Sequence, residues 1–380
     1  MTDPFDHRPT RVRVDLDALA HNLRAIRDHT RTPVMAIVKA NAYGHGLAQV
    51  GRHLEACGVD QLGVAFVEEG IALRNAGVRT PILVLGGIFG SQVELYLHHD
   101  LQVTVSSLDK LRQVEAAASR LGKTARIHLK VDTGMERIGV HSDTCGPLVE
   151  AAVASPWCDV AGIYSHLACA DDPGNPMTAL QVERFAEACA HFTRIGAPMP
   201  LRHLANSGGI LHHPGTHLDL VRPGIMLYGV LPDARLSRRT VPVRPALSLS
   251  SQVIFFKVVR AGRGVSYGAT WTAPCDTRVI TVPLGYGDGW PRSLSSRGEV
   301  LVQNMRRPIV GRVCMDQFMV DLGPDGEAWN DDEVVLIGEQ GGHVITVEDV
   351  ATCAGVIPYE VLVGLNERIP RTYLGDGPSR

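Results

Sequence analysis

Apolar and polar positions along the first 223 residues group into short apolar runs separated by longer amphipathic stretches. The opening segment RVRVDLDALAHNLRAIRDH predicts a short strand followed by a helix. Eight further runs, several rich in β-branched residues, predict buried strands. They are VMAIVK ending at Lys39, LGVAFV at Val67, ILVLG at Gly86, QVTVSS at Ser107, RIHLKVD at Asp132, DVAGIYSH at His166, LRHLAN at Asn206 and LDLVRP at Pro223. Helical patterns such as EEGIALRNAG and LDKLRQVEAAASRLG lie between several of them. Eight such units within roughly 230 residues match the size of a (β/α)8 barrel. A doubly wound sheet is the competing architecture, but it normally has fewer strands, and no G-x-G-x-x-G follows the first run.

Barrels of this kind carry their chemistry at the C-terminal ends of the strands. Lys39, Lys130, Asp132, His166, Asn206 with Ser207, and Arg222 stand there. One polar residue at a strand end is usually just the start of a loop, but several on one rim point to a shared site. From about Val230 the texture changes, and LPDARLSRRTVPVRP, rich in proline and arginine, reads as a linker. SLSSQVIFFKVV, TRVITVPLGYGDG, PIVGRVCMDQFMVDL and EVVLIG then predict a smaller, mostly β domain, followed by a late helix in PYEVLVGLNER. The expected organisation is α/β: an N-terminal (β/α)8 TIM-like barrel over 1–240 and a C-terminal mostly-β domain over 241–380, with the first residues available to pair with the β domain.

At 380 residues the chain is long enough for two cores. Its 37 basic and 40 acidic side chains nearly balance, which argues against nucleic acid or an anionic membrane as partner. No apolar stretch approaches the roughly 20 residues that span a bilayer, and the polar MTDPFDHRPT lacks the apolar core of a signal peptide. A cytoplasmic location is the expectation. The eight cysteines form no C-x-x-C pair, so neither a disulfide framework nor a zinc site is indicated. His212, His213 and His217 are interrupted by Pro214 and Gly215 without a supporting cysteine or carboxylate pattern, and no metal is expected.

Lys39 is the residue with the sharpest chemical signal. It ends an apolar run and opens the segment Lys39-Ala40-Asn41-Ala42-Tyr43-Gly44-His45-Gly46. An amine there is desolvated on its strand side and reachable on its loop side, which lowers its pKa and frees it to attack a carbonyl. It could also be merely a charge marking the strand end. Tyr43, four residues on, reaches the same pocket if the turn runs into a helix.

The string VKANAYGHG resembles the pyridoxal-phosphate lysine motif of alanine racemases, and further matches run to PYEVLVGLNERIPRTY near the C-terminus. The resemblance implies pyridoxal 5'-phosphate bound as a Schiff base on Lys39. It implies a phosphate cradle from Tyr43, Ser207 in HLANSGG, backbone amides near Gly224 and Ile225 in VRPGIMLYG, and Tyr359. Arg222 is the implied partner of the pyridine nitrogen, and a donor-only arginine leaves that nitrogen largely unprotonated. Tyr267 in GRGVSYGATW is the implied second catalytic base opposite Lys39, with His166 linking it to Arg222. Arg137, assisted by Met315 and Asp316, is the implied binder of the substrate carboxylate, and Lys130 matches a position carbamylated in some relatives. Because Tyr267 and Met315 belong to the second domain, the resemblance implies a head-to-tail homodimer with shared sites. The activity implied is interconversion of L- and D-alanine by two bases, supplying D-alanine for peptidoglycan.

Taken without the resemblance, Ser207 reads equally as a helix cap, Arg222 as a phosphate binder or surface ion pair, Tyr267 as a turn residue, and Asp316 as a structural acceptor. Two positions depart from the family pattern: Glu136 replaces a small residue, and Cys314 precedes the Met-Asp-Gln triplet. A decarboxylase of similar build is expected to place an acidic residue at the pyridine nitrogen, where this chain has Arg222. The single-barrel carriers of the same cofactor lack a second domain.

Overall fold

The computed structural model describes residues 7–232 and 240–375. Part of the expected linker, 233–239, lies outside the described residues. The strand Arg11–Asp15 gives way to the helix Leu16–Thr30 where Asp15 caps it, its carboxylate accepting the Ala18 N–H at 2.8 Å. That helix buries Leu19, Leu23 and Ile26, the spacing of one apolar face.

Seven parallel strands follow, with helices between them, and their spatial order is their chain order: Met35–Ile37, Gln61–Val64, Ile82–Val84, Gln102–Val105, Ala125–Asp132, Cys158–Tyr164 and Leu201–His203. All but the last two are buried along nearly their whole length, as strands covered on both faces must be. The eighth expected strand is not regular. Val221 forms a single parallel bridge to Val34, Met35 N–H donates to the Val221 carbonyl at 2.8 Å, and Arg222 N–H donates to the Ala205 carbonyl at 3.0 Å. The segment therefore joins the first strand to the last and closes the curl. Leu218 with positive φ (50°) and Pro223, which has no N–H to donate, limit the pairing to that bridge.

Gly264–Val265 and Trp271–Thr272 form a separate two-stranded sheet, while ten of the other strands build a mainly antiparallel one. Arg11–Asp15 belongs to it: Val12 pairs with Leu249 and, on the other side, in parallel with Arg371. One apolar cluster runs from the barrel through this sheet, including Leu19, Leu62, Ile163, Leu249 and Leu336. The late helix is shorter than the sequence pattern, Pro358–Gly364, because Leu365 adopts an extended conformation (ψ 103°). Among the described residues no helix is long and apolar enough to cross a membrane, and no group of three or more His, Cys, Asp or Glu could hold a metal ion.

Candidate active site

A cavity of about 470 Å³ opens at the C-terminal ends of the parallel strands. Lys39, Tyr43, Lys130, Arg137, His166, Ser207, Arg222, Gly224 and Tyr359 line it together, with Tyr164 and Asn206. Ile225 is fully buried directly behind Gly224.

Lys39 enters this cavity from an unusual turn. Ala40, Asn41, Ala42 and Tyr43 all have φ between 51° and 55°, a left-handed turn rather than the right-handed helix that the spacing of Lys39 and Tyr43 suggested. Left-handed backbone costs about 1–2 kcal/mol per non-glycine residue, so the surroundings must hold it. Glu69 does so from the helix Val67–Asn75, accepting the Ala40 N–H at 2.6 Å on one oxygen and the Ala65 N–H at 2.7 Å on the other. The Asn41 carboxamide oxygen accepts the Leu47 N–H at 2.7 Å, and the His45 ring donates to the Tyr43 carbonyl at 2.8 Å. Burial against the cavity wall, reinforced by the charge of Arg137 and opposed by Glu69, pulls the Lys39 amine below its ordinary value of 10.5. Glu69 carries a signal that the sequence reading passed over: it stands three residues after Phe66, where a helix's first free N–H groups seek an acceptor.

The far end of the cavity gathers hydroxyls and the backbone amides that follow Pro223. Asn206, not Ser207, caps the helix Ser207–His212, accepting the Gly209 N–H at 3.0 Å. Ser207 is thereby free to bind elsewhere, and its hydroxyl accepts the Gly224 N–H at 3.1 Å and the Met226 N–H at 3.4 Å. The Ile225 N–H between them finds no acceptor among the described residues. A buried orphan donor is costly unless something binds to it. The Tyr43 ring packs between Tyr228 and Tyr359, with centroids 5.0 and 6.1 Å away. Burial pushes both the Tyr43 and Tyr359 hydroxyls well above the usual tyrosine range, so both are donors.

Arg222 is buried and held on all sides. It donates to Nδ1 of His203 at 3.1 Å, to the Ser165 carbonyl at 2.7 Å, to the Leu204 carbonyl at 3.0 Å and to Nδ1 of His166 at 3.4 Å. Its carbocation centre lies 5.5 Å from the Tyr164 ring. Burial lowers its pKa to about 10, which still leaves it charged at neutral pH. Burial and the charges of Arg222, Lys130, Arg137 and Lys39 hold His166 neutral, well below 6.5. Gln181 fixes the His166 loop by donating to the His166 carbonyl at 2.9 Å while accepting the Ala168 N–H at 2.8 Å.

Arg137 is positioned through Asp132. One Asp132 oxygen accepts the N–H groups of Gly134, Met135 and Glu136, and the other accepts that of Arg137 at 3.1 Å. Glu136 takes φ 52° in this tight turn, which accounts for a small residue being at home there. The Arg137 guanidinium has no carboxylate partner among the described residues, which leaves it available for an anionic ligand. Lys130, beneath it, packs 4.8 Å from the Tyr164 ring centroid. Burial and the charge of Arg222 pull its amine down to about 7, against the raising influence of Asp132.

Tyr267, Met315 and Asp316 do not line this cavity within one chain. They line a larger, open concavity of about 1140 Å³ on the β sheet, together with Phe255, Val258 and Cys314. Tyr267 is 70 % exposed on a short turn whose preceding residue, Ser266, has φ 67°. Asp316 is paired with Arg368 at 2.7 Å, which in turn reaches the buried Asp288 at 3.3 Å.

A barrel rim that brings a lysine of lowered basicity, buried tyrosine hydroxyls and a buried arginine onto one cavity has the make-up of an enzyme site. Comparison with known proteins gives the family. Residues 14–232 match the family model for the alanine racemase N-terminal domain, and residues 246–373 the model for the alanine racemase C-terminal domain. The alanine racemase of Symbiobacterium thermophilum is 44% identical over 370 residues, covering 97% of this chain and 98% of its own. That of Desulforamulus reducens is 42% identical, covering 97% and 99%. The crystal structure of alanine racemase from D-cycloserine producing Streptomyces lavendulae superposes with a TM-score of 0.92 at 40% identity, covering 97% of this chain and 98% of that one. The chain belongs to the alanine racemase family.

Proposed function

We propose that this protein interconverts L- and D-alanine, using pyridoxal 5'-phosphate held on Lys39 and two opposed bases, Lys39 and Tyr267. The observation that carries this reading is the convergence of Lys39, Tyr43, Lys130, Arg137, His166, Ser207, Arg222, Gly224 and Tyr359 on one cavity in a chain whose relatives are named alanine racemases. The residues suit the cofactor. The orphaned Ile225 amide and the neutral Tyr43 and Tyr359 hydroxyls offer donors to its phosphate. The close approach at Gly224, where a Cβ would stand 2.5 Å from the Tyr43 hydroxyl, leaves no room for a side chain. When bound, the cofactor supplies an electron sink for the charge left as the α-proton departs.

The chain's own groups supply the rest. Lys39, its amine pKa lowered, takes or returns the α-proton at Nζ on one face. Tyr267 does so at Oη on the other. Arg137 binds the substrate carboxylate, with Met315 and Asp316 beside Tyr267 closing the pocket. Arg222 would serve as a cationic donor to the cofactor's ring nitrogen, with His166 lining the same cavity 3.4 Å from it. A donor-only arginine there would limit charge storage in the cofactor's ring and favour fast reprotonation over transamination.

Lys39 and Tyr267 face separate cavities in one chain, so we read the working form as a homodimer in which each β domain completes its partner's barrel. Phe255, Val258, Tyr267 and Met315 leave an apolar rim exposed there, suited to burial against a second copy. We divide the chain at about residue 240, with the barrel before it and the β domain after it, and place the enzyme in the cytoplasm making D-alanine for peptidoglycan. Circular dichroism of L-alanine incubated with the protein and pyridoxal phosphate should decay to zero as the racemate forms. Borohydride should fix the cofactor's mass on the Lys39 peptide in the unaltered protein and leave Lys39→Ala unlabelled. A constant dichroic signal, or an equally labelled Lys39→Ala, would overturn the reading.

A further inference from the structure

Behind Arg222 a chain of polar side chains runs into the barrel interior, where strands normally present only apolar residues. His203 Nε2 lies 2.9 Å from Nδ1 of His128, His128 Nε2 lies 2.9 Å from Oε1 of Gln102, and Gln61 Nε2 lies 3.3 Å from that same oxygen. All four side chains are buried, His128 and His203 completely. None of them touches the cavity, yet burying polar groups this deep is costly unless each is matched.

The donor and acceptor roles along this chain follow from its first member. An arginine can only donate, so Nδ1 of His203 must accept from Arg222 at 3.1 Å. A neutral imidazole has one N–H, so that of His203 is on Nε2 and donates to Nδ1 of His128. By the same step His128 carries its proton on Nε2 and donates to the Gln102 oxygen. Gln102 then presents its carbonyl, which also accepts from Gln61. Every link runs in the same direction, and reversing any one sets two donors or two acceptors face to face. Protonating either imidazole would put a donor against a donor and a cation beside Arg222. Consistent with that, burial and the charges of Arg126 and Arg222 hold His128 down to about 3, and burial and Arg222 hold His203 well below 6.5. The plane of His203 is fixed by stacking on Tyr164 at 4.7 Å and 8°, and Tyr164 is pinned by a 2.8 Å hydrogen bond to Thr104.

We propose that Gln102 and His128 are positioning residues that act through His203 to keep Arg222 a pure donor with its charge uncompensated. The chain ends at an amide, which orients the imidazoles but brings no negative charge, and among the described residues Arg222 has no carboxylate partner. A carboxylate at position 102 would change that. It would place a negative charge at the end of the relay, compensate Arg222 from behind through neutral imidazoles, and raise the basicity of a ring nitrogen facing it. The inference rests on Arg222 facing the cofactor, as set out above.

Two measurements test it. In the full-length protein labelled with 15N-histidine, at neutral pH and with pyridoxal phosphate bound, His128 and His203 should both show the nitrogen shifts of neutral, Nε2-protonated rings. Resonances assigned by His128→Asn and His203→Asn that report a protonated or Nδ1-protonated ring would overturn the relay. This arm is independent of activity, so it stands even if alanine is not racemised. In the second, Gln102→Glu should leave both rings neutral while it changes the absorbance of the bound cofactor and raises side transamination per racemisation severalfold. Val103→Ala, a packing change on the same strand within the apolar core, should leave that ratio unaltered. A folded Gln102→Glu protein with unchanged absorbance and ratio would overturn the positioning role. If Gln102→Glu does not fold, the ring shifts of the unaltered protein decide. Absence of any racemisation by the unaltered protein would instead refute the functional reading.

Discussion

A Cβ built on Gly224 would stand 2.5 Å from the hydroxyl oxygen of Tyr43. Tyr43 is itself wedged between Tyr228 and Tyr359 and only 5 % exposed, so it has nowhere to retreat. Gly224→Ala therefore pushes the Tyr43 hydroxyl out of line and disturbs the adjoining amides. Overpacking of this kind costs about 1–3 kcal/mol, which corresponds to a roughly 5- to 150-fold weaker affinity if all of it falls on the bound state. Titration of the cofactor-stripped variant with pyridoxal phosphate, followed by absorbance, should show that weakening. Affinity equal to that of the unaltered protein would mean that Tyr43 and Gly224 do not form the phosphate pocket.

The separation of Lys39 and Tyr267 into two cavities predicts complementation. Lys39→Ala and Tyr267→Phe chains should each be inactive alone, but half the dimers in an equal mixture are mixed, and each mixed dimer keeps one complete site. Random exchange should thus restore about a quarter of full activity. No recovery after exchange has been verified by mass spectrometry would show that the site is not shared.

Much of this architecture was legible from the residues because the physical signals were local. The strand runs stop at Lys39, Asp132, His166 and Asn206, and a barrel makes that a rim. The turn after Lys39 was not legible, because Ala40, Asn41, Ala42 and Tyr43 carry no glycine to announce positive φ; the turn is imposed by Glu69 from a neighbouring helix. The last strand pairs less than its apolar run suggests, since such a run does not reveal that Leu218 and Pro223 reduce its pairing to one bridge. His128 and His203 read as interruptions in strand runs, and only the three-dimensional packing links them to Arg222. That Tyr267 stands away from the barrel cavity within one chain is not carried by the residues around it and was expected only through the family resemblance.

Buried neutral histidines set an acid limit on stability. Burial, with the charge of Arg371, lowers His45 to about 4 from an ordinary 6.5, even though its bond to the Tyr43 carbonyl opposes this. The unfolded chain takes up a proton near pH 6.5 and the folded one does not until about 4. Stability from this group is thus fully present above pH 6.5 and falls as pH drops toward 4, by up to about 1.4 kcal/mol per pH unit. His45→Asn keeps a donor for Tyr43 but cannot titrate. Urea midpoints at pH 7.5 and 5 should fall less in His45→Asn than in the unaltered protein. Parallel losses would exclude His45 as a contributor.

Lys130 should be open to carbamylation. Its amine, lowered to about 7 from 10.5 by burial and by Arg222, is half free base at pH 7. The free amine nitrogen attacks carbon dioxide and releases a proton, and the resulting anion replaces a cation beneath Arg137 with an attractive partner. Protein equilibrated with 13C-bicarbonate should give a carbamate 13C resonance that grows as pH rises through about 7 and is missing in Lys130→Met. A spectrum at pH 8 without that resonance would rule the modification out.

The two-base assignment makes an asymmetric prediction. If Lys39 serves one face of the substrate and Tyr267 the other, Tyr267→Phe removes the base from one face only. Net racemisation should then nearly vanish in both directions, because each direction needs removal of a proton on one face and its return on the other; losing one such group typically costs about 10²–10⁴-fold. Exchange of the α-deuteron with solvent behaves differently, since it needs only one base on one face. For the enantiomer whose α-hydrogen faces Lys39, washout should persist near its original rate, followed by NMR loss of deuterium without inversion. For the other enantiomer it should collapse. A single mobile base, or water acting on both faces, would instead leave washout equal from both enantiomers, and Tyr267 would then have to be withdrawn as the second base.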